Sequence, residues 1–295
     1  MIWCVTLNPS LDITYDLTDN FTPGAIHRTH NVWDRPGGKG NNAARVIATL
    51  KHEVTTLGIY GGSNGAQVRK LLSERGIPLV WEPCLGETRR CITILAANGV
   101  SEIREAGPFI STEVGSKLLH TLFDSVGSHD WVTLSGSLPI NWPDDTYQTW
   151  IARLQQRVQG IIVDTSGPPL EYAMKASPTV VVPNLYEYNG IQHVPQHSTH
   201  IITTMGAGGA LWRSPDSLST LKFIAPDVSA VNSVGAGDAF LGGLVSSLND
   251  GRSYRDAIRF AVAIGTASVL TRAVADIDLQ AIPDLYKQVT TREEK

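Results

Sequence analysis

The stretch Asn232-Ser-Val-Gly-Ala-Gly-Asp-Ala-Phe240 carries the residues best suited to chemistry. Gly235, Ala236 and Gly237 offer almost no side chain, and the carboxylate of Asp238 follows at once. Behind them Phe240, Leu241, Leu244, Val245 and Leu248 recur at spacings of three and four, the period of a helix. A small-residue turn that opens a helix aims several unpaired backbone N–H groups at one place, which makes an anion site. A carboxylate beside an anion is unfavourable unless it has work to do. The work that fits is taking a proton from a hydroxyl that attacks a bound phosphoryl group. The same residues also suit a plain helix start, with Asp238 near the positive end of the dipole. Locally, both remain open.

A second glycine-rich turn, Pro36-Gly-Gly-Lys-Gly-Asn-Asn42, runs into Ala43, Ala44, Val46, Ile47 and Leu50 at helical spacing. It lacks the four-residue spacer and the Lys-Ser/Thr ending of a P-loop. Its glycines let a ligand approach the backbone, so Lys39 and Asn42 could face a sugar or a phosphate; a helix start that needs glycine for geometry is the alternative. Asp12 sits where the first strand ends, the edge of an open α/β sheet where ligands bind. Arg89, Arg90 and Arg104 fall on a polar hairpin around Asn98-Gly99. If the hairpin folds over the site, the three are expected close together, and arginine is the natural bidentate partner of a phosphate. A solvated surface role is the simpler reading of each.

These groups need a scaffold. Buried strands are predicted at 2–7, 54–60, 131–134, 161–164, 180–184 and 201–204, most of them ending in small-residue turns and separated by helical stretches. Such alternation predicts a doubly wound, mostly parallel sheet with helices on both faces. Residues 12–35 and 87–106 do not fit that rhythm. They read as two polar excursions that pair into a small β-sheet lid on a single domain spanning residues 1–295.

With 42% hydrophobic and 18% charged residues the composition is that of an ordinary globular protein. A net charge of −4 without a basic run argues against a nucleic-acid partner. No apolar run is long enough for a membrane span and no charged leader opens the chain, so a cytoplasmic location and no membrane partner are expected. Cys4, Cys84 and Cys91 lack the paired spacing of a zinc or redox site. Gly58, Gly61, Gly62 and Gly65 miss the dinucleotide fingerprint, which disfavours a nicotinamide dehydrogenase.

Six stretches taken in order resemble the ribokinase-like (PfkB) sugar kinases along nearly the full length. They are Thr6-Leu-Asn-Pro-Ser-Leu-Asp12, Gly37-Gly-Lys-Gly-Asn-Asn42, Gly86-Glu-Thr-Arg89, Leu134-Ser-Gly-Ser-Leu-Pro139, Pro183-Asn-Leu-Tyr-Glu187 and Val234-Gly-Ala-Gly-Asp238. Within that family the chain is most similar to the 1-phosphofructokinase and tagatose-6-phosphate kinase branch. The resemblance implies ATP-dependent phosphorylation of a sugar hydroxyl with Mg²⁺, on a ketohexose phosphate or, alternatively, an unphosphorylated sugar, sugar acid or nucleoside. A silent sugar-binding regulator is the reading from another class. By similarity Asp238 is the base and Gly235, Ala236 and Gly237 form the anion hole. Asp12, Gly38, Lys39, Asn42 and Ser137 match sugar-contacting positions, and Arg28 and Arg89 are candidates for a phosphate already on the substrate. Asn184, Thr204, Gly206, Gly209 and Gly237 match the nucleotide site, and Asn184 and Glu187 organise Mg²⁺ through water. A homodimer through the lid is common in such relatives.

The chain also departs from that branch. Arg90-Cys91-Ile92-Thr93 replaces its usual Ile-Asn-x-Lys, Arg104 an Asn, Pro183 a Lys and Gly208 a Glu. The stretch from Glu187 to Ile201, with Pro195 and three histidines, leaves little room for the usual helix.

Overall fold

The computed structural model describes residues 1–190, 199–217 and 219–294; most of the short stretch after Glu187 therefore lies outside the described residues. A ten-stranded sheet forms the body. From one edge it runs Thr290–Glu294, Thr220–Ile224, Ala210–Arg213, His200–Thr204, Val180–Val181, Gly160–Asp164, Trp131–Ser135, Ile2–Thr6, Val54–Tyr60 and Leu79–Pro83. Every pairing from His200–Thr204 to Leu79–Pro83 is parallel. The first strands of the order are antiparallel, an extension the sequence pattern did not announce. Thr290–Glu294 is Thr-Thr-Arg-Glu-Glu and half exposed, and a strand of that kind carries no apolar period.

Alternation along the central strands sends side chains to two cores. Ile2 and Cys4 join helices Lys39–Thr49, Ala236–Asn249 and Tyr254–Val269, whereas Trp3 and Val5 join helices Thr112–Ser125, Thr146–Leu154 and Pro168–Lys175. Each fully buried aliphatic side chain contributes about 1.5–3 kcal/mol, so both helical layers are held firmly. Helix Ala236–Asn249 is buried from Asp238 to Leu248 and wedged between helices Lys39–Thr49 and Tyr254–Val269. A Cβ on Gly242 would meet Val46 at 2.8 Å and the Ala43 carbonyl at 3.0 Å. The missing methyl lets the two helices touch, and their N-termini bring Asp238 and Asn42 together.

A separate four-stranded sheet runs Asn31–Gly37, Ser10–Asp16, Arg89–Ala96, Gly99–Arg104. The two polar excursions pair through their first strands, Ser10–Asp16 against Arg89–Ala96, in parallel. Its alternation is inverted. Asp12, Thr14, Asp16 and Thr93 are buried, whereas Tyr15, Val32 and Ile103 are exposed. The sheet turns its polar face onto the body, where Arg272 pairs with Asp16 at 2.6 Å and Asp276 with Arg35 at 3.1 Å, and its apolar face outward. No helix among the described residues is long and apolar enough to cross a membrane.

Candidate active site

Gly235 caps helix Ala236–Asn249 in a left-handed conformation, φ 83°, and no side chain caps the first turn. Gly235 has to be glycine twice over: a Cβ there would be strained in φ and would meet the Ala275 amide nitrogen at 2.8 Å. Asp238 lies in that first turn and is buried. Its Oδ2 accepts a hydrogen bond from Asn42 Nδ2 at 2.8 Å. Burial pushes the Asp238 carboxyl up to about 7; Lys39 pulls it back, and the negative charges of Asp164 and Asp12 add to the rise. A carboxylate poised near neutrality can hold or release a proton at working pH, which is what a general base requires.

Lys39, in the first turn of helix Lys39–Thr49, donates to Asp164 Oδ1 at 2.6 Å. Partial burial favours the neutral amine, but Asp164, then Asp238 and Glu187, outweigh it and hold Lys39 above the ordinary lysine range. Asp12 faces the same space from the small sheet. Burial raises its carboxyl, while the Ser10 hydroxyl, Arg45 and the Asn42 amide favour the charged form. Its carboxylate lies against the Cα of Gly37, where a side chain would overlap it. Gly38, Lys39, Asn42, Asp12 and Asp238 thus converge on one space.

Thr204, Gly206, Gly209, Ala236 and Gly237 line a cavity of about 470 Å³, with Phe240 and Val262 on its apolar side. That volume and lining suit a flat heteroaromatic group. Asn184 is bridged to Thr204 and caps the short helix Leu185–Asn189. Its Oδ1 accepts from the Glu187 amide and Glu187 Oε2 accepts from the Asn184 amide, both at 2.9 Å.

The arginines separate. Arg89, half buried, donates to the Asn8 and Glu105 carbonyls and forms no ion pair among the described residues. Asn8 in turn donates to Ser137 Oγ at 3.1 Å, so Ser137 and Arg89 share one edge. Arg90 is not beside Arg89: consecutive strand residues face opposite ways, and Arg90 pairs with Glu105 at 2.7 Å. Arg104 shares the inward face with Cys91 but is neutralised by Glu102 at 2.9 Å. The expected trio of arginines is therefore corrected to one uncompensated cation, Arg89. Arg28 lies exposed on the connection between strands Ser10–Asp16 and Asn31–Gly37, with no ion pair among the described residues.

Three participants escaped the sequence reading. Asp164 ends strand Gly160–Asp164, the same strand-exit position that drew attention elsewhere. Arg45 stands three residues after Asn42 on a helix, a spacing that places both on one side. Its partner Asp276 is 231 residues away and could not be found by spacing.

The profile of pfkB family carbohydrate kinases matches residues 5–281. Among solved structures, a proposed phosphofructokinase from Staphylococcus aureus is 28% identical over 100% of this chain and 99% of its own, with a TM-score of 0.79. Phosphofructokinase-2 from Escherichia coli is 24% identical over 97% and 98%, with a TM-score of 0.85. A proposed 1-phosphofructokinase from Thermotoga maritima is 20% identical over 100% and 99%, with a TM-score of 0.87. At the last two identities the likeness carries the fold alone. The family match spans nearly the whole sequence and includes the glycine turn, Asp238 and the Lys39 loop, so the chain belongs to the pfkB family of carbohydrate kinases and is an ATP-dependent sugar kinase.

Proposed function

We propose that the acceptor is a ketohexose phosphate and that Asp238 is the base for phosphoryl transfer to its free primary hydroxyl. The buried carboxylate in the first turn of an uncapped helix, between a heteroaromatic-sized cavity and the Asp12–Lys39–Asn42 space, carries this reading. The adenine of ATP occupies the cavity beside Thr204, Gly206 and Gly209, with the γ-phosphate at the amides of Gly235, Ala236 and Gly237. Asp238 takes the hydroxyl proton as that oxygen bonds to the γ-phosphorus and the bond to the bridging oxygen breaks, leaving ADP and a phosphate ester. Positioning and charge stabilisation do most of the work in such a step.

Asp12, Gly38, Asn42 and Ser137 hold the sugar, and Arg89 meets the phosphate that it already carries. Arg28 would join only if the exposed connection folds inward over bound sugar, which is the lid role of the small sheet. Among the described residues no three acidic, His or Cys side chains cluster to cage a metal ion. Asn184 and Glu187 are committed to each other as helix caps. That donor set fits Mg²⁺ held mainly by phosphate oxygens, with Asn184 and Glu187 reaching its waters. The ion would neutralise charge on the transferring group.

Tyr15, Val32, Ile92, Ile94 and Ile103 lie in two apolar rows on the outer face of the small sheet, beside Ile13, which packs against the body core. A second copy of the chain covers them, making a homodimer. A coupled ADP-release screen over free and phosphorylated ketohexoses tests the acceptor: turnover confined to free sugars would overturn the phosphate assignment.

A further inference from the structure

Behind the Asp238–Asn42 hydrogen bond stands a buried guanidinium that touches neither reactant. Arg45 Nη1 donates to Asn42 Oδ1 at 2.7 Å, and Nη2 donates to Asp276 Oδ1 at 2.8 Å and to the Val274 carbonyl. Nη1 also donates to the Pro36 carbonyl at 3.3 Å. The Arg45 side chain is 2% exposed. The other oxygen of Asp276 holds Arg35 of the small sheet at 3.1 Å.

A carboxamide has a donor end and an acceptor end, and only its partners decide which way it points. With Arg45 fixed, Asn42 Oδ1 must face the guanidinium and Nδ2 must face the carboxylate. Reversed, its oxygen would oppose Asp238 and its NH2 would oppose Arg45, losing two charge-assisted bonds together.

We propose that Arg45 is a positioning residue for phosphoryl transfer: clamped by Asp276, Val274 and Pro36, it fixes the orientation of the Asn42 amide and so leaves Asp238 Oδ1 to the acceptor hydroxyl. The proposal rests on Asp238 being the base. The charged groups facing Asp238 are Lys39, Asp164 and Asp12, with Arg104 contributing from the small sheet. Asp12 faces the Nδ2 end of Asn42 as well, and none of these groups meets Oδ1, so Arg45 is what fixes the oxygen end of the amide.

The test compares pH profiles of the wild type, Arg45→Met, Asp276→Asn and Asp238→Asn with ATP and the best acceptor. Arg45→Met is expected to lower kcat roughly 10- to 100-fold, as small misplacements of catalytic groups do. The acidic limb of its kcat/KM profile should move up by about 0.5–1 pH unit, because a hydrogen bond and a cation that favour the carboxylate are both lost. KM for ATP should change less than about two-fold, since nothing at the nucleotide cavity is touched. Asp276→Asn, on the half-exposed partner, should shift the limb the same way by less. A merely structural Arg45 would lower thermal stability and leave the limb in place. Unmoved limbs in the folded variants overturn the proposal, and Asp276→Asn alone decides it if Arg45→Met does not fold. Near-normal turnover by Asp238→Asn would instead overturn the base assignment, whatever the other two variants do.

Discussion

Asp238→Asn should destroy activity and strengthen the fold. An ordinary aspartate titrates near 3.8, and burial in this site brings Asp238 to about 7. Between those values the native protein holds a proton that the unfolded chain has released, so stability falls as pH rises through the window. At roughly 1.4 kcal/mol per unit of pKa, the ionised carboxylate costs the fold about 4 kcal/mol above pH 7. The carboxamide keeps the shape, can still accept from Asn42 Nδ2, and never ionises. The variant should therefore gain about 2–4 kcal/mol at pH 8 and no more than about 1 kcal/mol at pH 4.5, where the wild-type group is already largely protonated. Urea unfolding of both proteins at the two pH values measures this directly. In thermal scans at pH 8 the gain should appear as a rise of roughly 5–10 °C. Turnover of the same samples should drop by about 10²–10⁴-fold, the usual worth of a general base. A stability difference independent of pH, or a variant weaker than wild type at pH 8, would refute the claim that Asp238 is held near neutrality by burial.

The acceptor side can be perturbed separately. Gly37→Ala places a methyl on the Asp12 carboxylate, and should raise KM for the sugar at least about ten-fold while KM for ATP stays near wild type in steady-state assays. Arg89→Ala should raise KM for a phosphorylated acceptor by roughly 10- to 100-fold, the worth of one charged hydrogen-bonding partner, and leave any activity on free sugars unchanged. Ile103→Glu puts a charge on the outer face of the small sheet, where Ile103 is 56% exposed. The proposed homodimer predicts that light scattering reports a dimer for the wild type and a monomer for this variant, with the melting behaviour of the isolated subunit intact.

What the sequence made legible follows from how each feature is encoded. Parallel strands buried on both faces appear as unbroken apolar runs, so Ile2–Thr6, Gly160–Asp164 and His200–Thr204 were all visible. The turn after His200–Thr204, Met205-Gly-Ala-Gly-Gly209, is glycine-rich because ligand and backbone must approach closely, and that too is written locally. The small sheet was legible as an excursion but not in its orientation. Period two gives the alternation of Asp12, Thr14 and Asp16 with Ile13 and Tyr15 and says nothing of which set faces inward. Here the polar set does, because that face roofs a site rather than a core. The arginine cluster failed for a related reason: Arg89 and Arg90 are neighbours in the chain and therefore opposites on a strand, and Glu102 and Glu105 had to be counted with them. The pairings Arg45–Asp276 and Lys39–Asp164 leave no trace in the sequence as pairings, since only the three-dimensional crossing of helix, strand and loop brings the partners together.

The distribution of charge around the site explains why the reaction is better defined than its acceptor. Asp12, Asp164 and Asp238 are all buried, and Lys39 reaches only part of that negative charge. Three buried carboxylates that feel one another's charge are tolerated in a low dielectric only while fixed donors hold them, which the body supplies through Lys39, Asn42 and, behind Asn42, Arg45. Those donors sit on a helix packed into the core, so small sequence changes around them would leave charges unpaired. The arginines of the small sheet face the opposite constraint. Arg90 and Arg104 are half exposed or more and already matched to glutamates, so replacing either costs little stability. On the proposed reading, substrate choice is mounted on the part of the molecule freest to vary, and Arg89 is the one arginine in its four strands without an ion pair among the described residues.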